Sequence, residues 1–252
     1  MEKTNSFAGK TAFVTGSSRG IGRAIALRLA AGGAQVWFHG TKDSPELESA
    51  VREGGGLARK CVGELSSPDA VKSLICQLPE KLDILVLNAS AQTYTYIEQF
   101  DPAEFDREMA VNVRASFQFL EAVLPGMKKR QYGRIIAVSS INQTKPAARF
   151  SIYSATKSAL ANLMRSAAKE YAQYGITVNT IQPGVIITDR NREVLKNEEF
   201  ANKLKADIPA HRFGEADDIC GSVRFLLDDT MSSFVTGVTL PVDGGFLTLS
   251  GV

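Results

Sequence analysis

The 252-residue chain predicts a single-domain, doubly wound α/β fold: a parallel sheet of about seven strands with helices on both faces. Three observations carry this. Short apolar runs alternate with helical periodicity along the whole length, which calls for parallel strands joined by crossover helices. The first apolar run leads into a glycine-rich turn, the kind of strand-to-helix junction that receives a phosphate group. Residues Ile84–Leu87 are apolar at every position, as a strand buried on both faces should be.

The elements follow in order. Thr11–Val14 is the first strand, and a helix over 21–31 is stopped by Gly32 and Gly33. A strand over 34–38 precedes a helix over 45–53, which Gly54, Gly55 and Gly56 end. A strand at 57–62, a helix at 68–78 and the strand Ile84–Leu87 come next. One long helix is expected over 102–127, with Pro125 as the place for a bend. Then come a strand at 134–138, a helix at 150–171 and a strand at 176–181. A polar helix at 191–206, a helix at 215–227 and a last strand at 238–242 complete the chain. The polar stretch 188–214 departs from the compact alternation and reads as a substrate lid.

Composition narrows the class. Hydrophobic residues make up 44% and charged residues 22%, as in a soluble globular domain, and one domain over 1–252 suits the length. A net charge of +2, spread along the chain, gives no argument for nucleic acid or an anionic membrane, and neither is expected as a partner. No apolar stretch approaches the ~20 residues of a membrane span. Cys61, Cys76 and Cys220 are far apart and without metal-ligand spacing, so they read as buried free thiols in a reducing compartment. His39 and His211 have no ligand partners in sequence, so no metal is expected. The opening residues lack the apolar core of a signal peptide, and a cytoplasmic enzyme fits these features.

Two motifs carry the chemistry. Gly16, Gly20 and Gly22 enclose Ser18, Arg19 and Ile21 in the turn after the first strand. Glycine there lets backbone approach a pyrophosphate, and the helix behind it offers free N–H groups. Tyr153 and Lys157 stand four apart, on one face of a helix. A phenol ordinarily titrates near ~10, and an adjacent ammonium is expected to pull it down, giving a general acid/base. The bland alternative is a plain helix surface. The phosphate turn, and the hydroxyl of Ser140 at a strand end thirteen residues earlier, argue against it.

Thr-Gly-x-x-x-Gly-x-Gly followed by Tyr-x-x-x-Lys resembles the short-chain dehydrogenase/reductase family, over 10–245. Asn88-Ala89, Asn112, Ser140, Pro183-Gly184 and Asp243-Gly244-Gly245 are similar to its other landmarks. The resemblance implies NAD(P)-linked interconversion of a ketone and a secondary alcohol. It gives Ser140 the substrate carbonyl, with Ser139 as the alternative if the turn is shifted by one. It gives Tyr153 the proton, and Lys157 the nicotinamide ribose. It gives Asn112 a carbonyl that holds a relay water. Asn88, Ala89, Pro183, Gly184, Ile186 and Thr188 would lie along the nicotinamide half, with Thr188 alternatively an N-cap of the lid. Glu64 and Leu65 would border the adenine.

NAD-preferring members of that family tend to carry Asp where this chain has Gly40, followed by Thr41 and Lys42. With Arg19 free to meet a 2′-phosphate, the expected cofactor is NADP(H). Ser90 stands where a glycine is usual, so it either shifts the loop or points away. The pocket is expected from 90–96, 141–143, Ile186, Ile187 and the lid, a mixed lining with no evident arginine for a substrate carboxylate.

The chain also resembles the 3-oxoacyl-acyl-carrier-protein reductase branch. Lys128-Lys129-Arg130 would be half of a carrier-docking patch, and Tyr174 stands where the branch places a second arginine. A thioester on a carrier, and a sugar, polyol or small ketone, are the substrate classes left open. A non-catalytic NADP(H) sensor is the reading of another class. The resemblance further implies a homotetramer built on the helices around Asn112 and Tyr153, with the apolar tail at 246–249 helping to bury an interface.

Overall fold

The protein is described here by a computed structural model covering residues 5–247. The strands are β1 (Thr11–Val14), β2 (Gln35–Gly40), β3 (Ala58–Val62), β4 (Ile84–Leu87), β5 (Gly133–Val138), β6 (Ile176–Pro183) and β7 (Thr239–Val242). The helices are α1 (Gly20–Ala31), α2 (Pro45–Gly54), α3 (Pro68–Ile75), α4 (Pro102–Met109), α5 (Ala115–Arg130), α6 (Ser151–Tyr171), α7 (Glu198–Ala206), α8 (Ala216–Leu227) and the short α9 (Asp229–Ser232).

All seven strands pair in parallel in one sheet, ordered β3-β2-β1-β4-β5-β6-β7. The order reverses between β1 and β4, which places a crevice at their C-terminal ends, where ligands bind in open α/β sheets. Neighbouring residues of β1 face opposite layers, as pleating requires. Ala12 and Val14 pack with Ile25, Leu29, Leu47, Ile219 and Val223 on the α1/α2/α8 side. Phe13 packs with Phe119, Leu124, Met127, Leu160 and Met164 on the α5/α6 side.

Three helices begin on one local device. Ser44, Ser67 and Asp101 each accept a backbone N–H just ahead of a proline that opens α2, α3 and α4. The side-chain oxygen satisfies an orphan donor, and proline loses nothing at a position whose N–H has no helical partner.

Several expectations are corrected. The predicted helix 102–127 is not regular: α4 passes through a π turn at Ala110–Arg114 into α5, which runs on through Pro125 to Arg130. The irregularity falls on Asn112, whose amide bonds outside the helix. The lid helix is shorter than 191–206, because α7 begins only after its cap Asn197. Asn191 withdraws from helix instead: its Oδ1 accepts from Thr188 N at 2.9 Å and its Nδ2 donates to the Ile186 carbonyl at 2.8 Å. Thr188 therefore caps no helix. Cys61 and Cys220 are buried as expected, but Cys76 is exposed at the end of α3. Thr248 and Leu249 of the apolar tail lie outside the described residues. Among the described residues, no helix is long and apolar enough to cross a membrane, and no cluster of His, Cys, Asp and Glu could hold a metal ion.

Candidate active site

The glycine turn is held from below by Thr15 and Asn88, both within the motifs above, and by His39, which the sequence left without a partner. Thr15 Oγ1 accepts from the N–H groups of Asn88 (2.8 Å) and Ala89 (3.0 Å), locking the end of β4 onto the end of β1. Asn88 Nδ2 donates to the carbonyls of Thr15 and Gly16, both at 3.0 Å. His39, at the end of β2, is buried; its Nδ1 accepts from Gly16 N at 2.9 Å and its Nε2 meets the Gly63 carbonyl at 2.9 Å. Those two bonds assign a neutral ring protonated at Nε2. Burial pushes the His39 pKa down, in agreement.

The turn is tight enough to require its glycines. Gly16 and Gly20 have φ of +63° and +59°, a region that glycine alone enters freely. A Cβ on Gly22 would sit 2.4 Å from both the Gly16 carbonyl oxygen and Asn88 Nδ2. The turn is thus a backbone cradle with no room for a side chain at Gly22 and little at Gly16, opening on the positive end of α1, which suits a pyrophosphate. Ser18, Arg19 and Ile21 lie in or next to this turn, with Arg19 exposed as the residue before α1.

At the end of β2, Gly40 is buried, and a Cβ there would meet Leu47 Cδ2 and the Lys42 carbonyl at 3.2 Å. A carboxylate at this position would need its neighbours to give way. Thr41 and Lys42 are exposed beyond it. Arg19 and Lys42 both act on exposed Glu46, whose pKa is lowered first by backbone and Ser44 hydrogen bonds and then by these two cations. The two cations therefore approach one region from separate loops. Leu65 is buried and Glu64 exposed after β3.

Tyr153, Lys157 and Ser140 come together where β5 ends against α6. Ser140 opens a short helical turn, its Oγ accepting from Asn142 N at 3.2 Å, which leaves its proton to give. Ser139 is instead spent on the scaffold: its hydroxyl donates to the Lys157 carbonyl at 3.3 Å. Lys157 is 1% exposed and donates from Nζ to the Val138 carbonyl at 2.9 Å, with Nζ 5.5 Å from the centre of the Tyr153 ring.

The expectation that Lys157 pulls the Tyr153 phenol down does not hold in this geometry. Burial, the largest influence, raises the Tyr153 pKa; Arg190 and side-chain hydrogen bonding to Ser140 and Ser90 work against it. Burial followed by the Arg190 charge lowers Lys157 to about 7. Spacing placed the two groups on one face, but burial is the largest influence on both pKa values.

Asn112 is buried in the π turn and clamps two segments. Its Oδ1 accepts from Ala91 N at 2.7 Å, and its Nδ2 donates to the Ala91 carbonyl and to Thr156 Oγ1, both at 2.9 Å. The Ser116 hydroxyl donates to its backbone carbonyl at 3.1 Å. Asn112 thereby fixes the loop after β4 against α6, three residues after Tyr153. Across the crevice, Gly184 packs closely on Asp243, where a Cβ would come within 2.7 Å of backbone. Pro183 and Ile186 are buried, and Thr188 lies beside Gly20, with its Cγ2 3.6 Å from where a Cβ would stand.

The pocket lining is corrected in one respect: arginine is present. Arg190, in the lid, reaches Ser90 and Gln92. Ser90 therefore points inward, not away. Arg149, held at φ +67°, lies over the Tyr96 ring at 4.2 Å and bonds the Tyr96 hydroxyl at the rim.

A family model described as enoyl-(acyl carrier protein) reductase matches residues 16–247. Glucose 1-dehydrogenase of Gluconobacter oxydans is 39% identical, covering 97% of this chain and 94% of its own. The 3-oxoacyl-[acyl-carrier-protein] reductase of Escherichia coli is 37% identical, covering 95% of this chain and 98% of its own. The chain belongs to the short-chain dehydrogenase/reductase family. It is an enzyme, an oxidoreductase. The crystal structure of a 3-oxoacyl (acyl-carrier-protein) reductase of this family from Agrobacterium tumefaciens, with NADP bound, superposes with a TM-score of 0.89 at 35% identity, covering 97% of this chain and 96% of that one. The family's glycine turn and Tyr-x-x-x-Lys helix thus face one crevice here, at the reversal of the sheet.

Proposed function

We propose that this chain interconverts a ketone and a secondary alcohol with NADP(H), using Tyr153, Lys157 and Ser140 as its reacting group. The observation that carries the reading is their convergence at the end of β5, beside a glycine turn in which Gly22 leaves no space for a Cβ. NADP(H), when bound, supplies or removes the hydride at its nicotinamide. Gly16, Ser18, Gly20, Ile21 and Gly22 would hold its pyrophosphate, and Arg19, Thr41 and Lys42 its 2′-phosphate. Leu65 and Glu64 would border the adenine. Asn88, Ala89, Pro183, Gly184, Ile186 and Thr188 would line the nicotinamide half.

Ser140 donates a hydrogen bond from its hydroxyl to the substrate carbonyl oxygen and so positions it, keeping its own proton. Tyr153 gives its phenolic proton to the developing alkoxide, or takes it back in oxidation. Lys157 keeps donors for the ribose hydroxyls beyond the one spent on Val138. Asn112 holds the loop and α6 in register, and its carbonyl, which accepts from Ser116, would use its second lone pair to hold the relay water that the family resemblance implies. All three reacting side chains are present and assembled, which favours turnover over a non-catalytic NADP(H) sensor.

The pH dependence follows from burial. Tyr153, raised, keeps its proton through neutral pH, whereas Lys157 loses its proton as pH rises through about 7. The kcat/KM for NADPH in reduction, which reports the free enzyme, is expected to fall above that point. A profile that stays flat there, or rises, contradicts the assignment.

For the substrate we favour a small ketone or keto sugar over a carrier-bound thioester. The dehydrogenase of Gluconobacter oxydans is named for glucose and the Escherichia coli reductase for 3-oxoacyl carriers. The cations of a carrier patch are partly engaged here: Lys128 Nζ lies 4.4 Å over the Tyr174 ring, and Arg130 donates to the Leu82 carbonyl at 2.6 Å. We also carry a cytoplasmic homotetramer. Phe105 and Phe117, 42% and 50% exposed on α4 and α5, support an interface there, and a monomeric mass in solution contradicts it.

The test is NADPH consumption across acetoacetyl thioesters, keto sugars and simple ketones. At least one is expected to be reduced, with NADPH preferred to NADH. A clear NADH preference would overturn the cofactor assignment.

A further inference from the structure

We infer that the substrate is an anion, a ketone or alcohol with a carboxylate a few bonds from the reacting carbon, and that Arg190 is the residue that selects it. This rests on the reductase reading above.

Position comes first. Arg190 stands two residues beyond Thr188, in the lid, and spans the crevice. Its Nη1 donates to Ser90 Oγ and to Gln92 Oε1, both at 3.2 Å, and its Nη2 to the Ser90 carbonyl at 2.9 Å. Ser90 is also among the groups that act on the Tyr153 phenol, working against the rise in its pKa that burial causes. One side chain therefore separates the guanidinium from the proton-transferring group.

Chemistry comes second. Every oxygen that Arg190 meets is neutral. Its neighbours in the lid region are paired: Arg192 with Asp189 at 3.9 Å and Arg212 with Asp218 at 2.7 Å. No carboxylate pairs with Arg190 among the described residues. Its Nε–H and one Nη2–H are left over, and two such donors on one planar group suit the two oxygens of a carboxylate.

The local field points the same way. The Arg190 charge is felt at Tyr153 and at Lys157, lowering the pKa of both. The acid that also acts on Tyr153 is Glu108, fully buried on α4 and itself raised chiefly by burial, hence disposed to be neutral. A cleft with cations and little opposing charge concentrates anions. A phosphate of the cofactor is the other anion within reach of the lid. Arg190 is turned instead onto the loop at 90–92, on the Tyr153 side, and that favours the substrate.

The experiment uses the full-length protein with NADPH and matched pairs: a 3-oxo carboxylate against its methyl ester, and a keto sugar acid against the keto sugar. The wild type is expected to prefer the acid in at least one pair. Arg190→Gln should lower the acid-to-neutral ratio of kcat/KM by roughly ten- to a hundredfold, the worth of a hydrogen-bonded charge. Arg190→Lys should keep part of that preference. Circular dichroism and NADPH affinity confirm that each variant is folded and loaded. An unchanged ratio in Arg190→Gln, or a wild type preferring the neutral member of every pair, overturns the inference. So does a loss confined to the KM for NADPH, which would give Arg190 to the cofactor's phosphate. If neutral ketones are reduced without any preference for acids, the reductase reading stands and this one falls; if nothing is reduced, both fall.

Discussion

Tyr153→Phe is expected to lower kcat for ketone reduction by roughly a hundred- to ten-thousandfold, the usual worth of a positioned general acid. The substitution removes one oxygen and leaves the ring. That ring is buried against Phe150, with centroids 6.1 Å apart, and Lys157 keeps its bond to the Val138 carbonyl. Melting temperature and NADPH affinity should therefore stay near wild type while turnover collapses. The burial that raises the Tyr153 pKa sharpens the expectation. A phenol that holds its proton through neutral pH is ready to give it to an alkoxide, and phenylalanine has none to give. A variant that binds NADPH and still reduces ketones at more than a tenth of the wild-type rate would remove Tyr153 from the chemistry.

Gly22→Ala should weaken cofactor binding by a different route. The added Cβ would lie 2.4 Å from the Gly16 carbonyl oxygen and from Asn88 Nδ2. Neither can retreat cheaply. Asn88 is bonded to two carbonyls of the turn, and Gly16 is held through its N–H by buried His39. The turn itself must move, at about 1–3 kcal/mol of stability by the usual scale for overpacking. Moving the cradle displaces the donors of the phosphate site, so NADPH affinity is expected to fall by roughly a hundredfold or more, about two factors of 1.4 kcal/mol. Gly221→Ala is the matched control. A Cβ there meets nothing within 4 Å, and glycine inside a helix costs about 0.5–1 kcal/mol relative to alanine, so this variant should bind NADPH normally and melt higher. Equal NADPH affinity in Gly22→Ala and the wild type would refute the cradle.

These two sites were legible in the sequence because their constraints are local. A glycine turn after an apolar run, and a tyrosine and lysine one helical turn apart, are patterns of neighbouring residues. The strand and helix order was legible for the same reason, since buried parallel strands need unbroken apolar runs. What escaped was set by long-range contacts. The helical pattern runs straight through Asn112, and only its bonds to Ala91 and Thr156 explain the π turn. His39 looked unpartnered because its partners, Gly16 and Gly63, lie on two other loops. Arg190 sits in a polar lid about which periodicity says nothing, one hundred residues from Ser90. The Tyr153 and Lys157 pKa directions depend on how deeply the pair is buried, which spacing does not encode.

The most direct test of the central claim is isotope transfer from NADPH deuterated at the nicotinamide carbon that gives up hydride. The wild type, incubated with that cofactor and the best ketone of the panel, is predicted to yield an alcohol with one deuterium on the carbinol carbon, read by mass spectrometry. NADPH consumption that leaves the carbinol carbon unlabelled would contradict it.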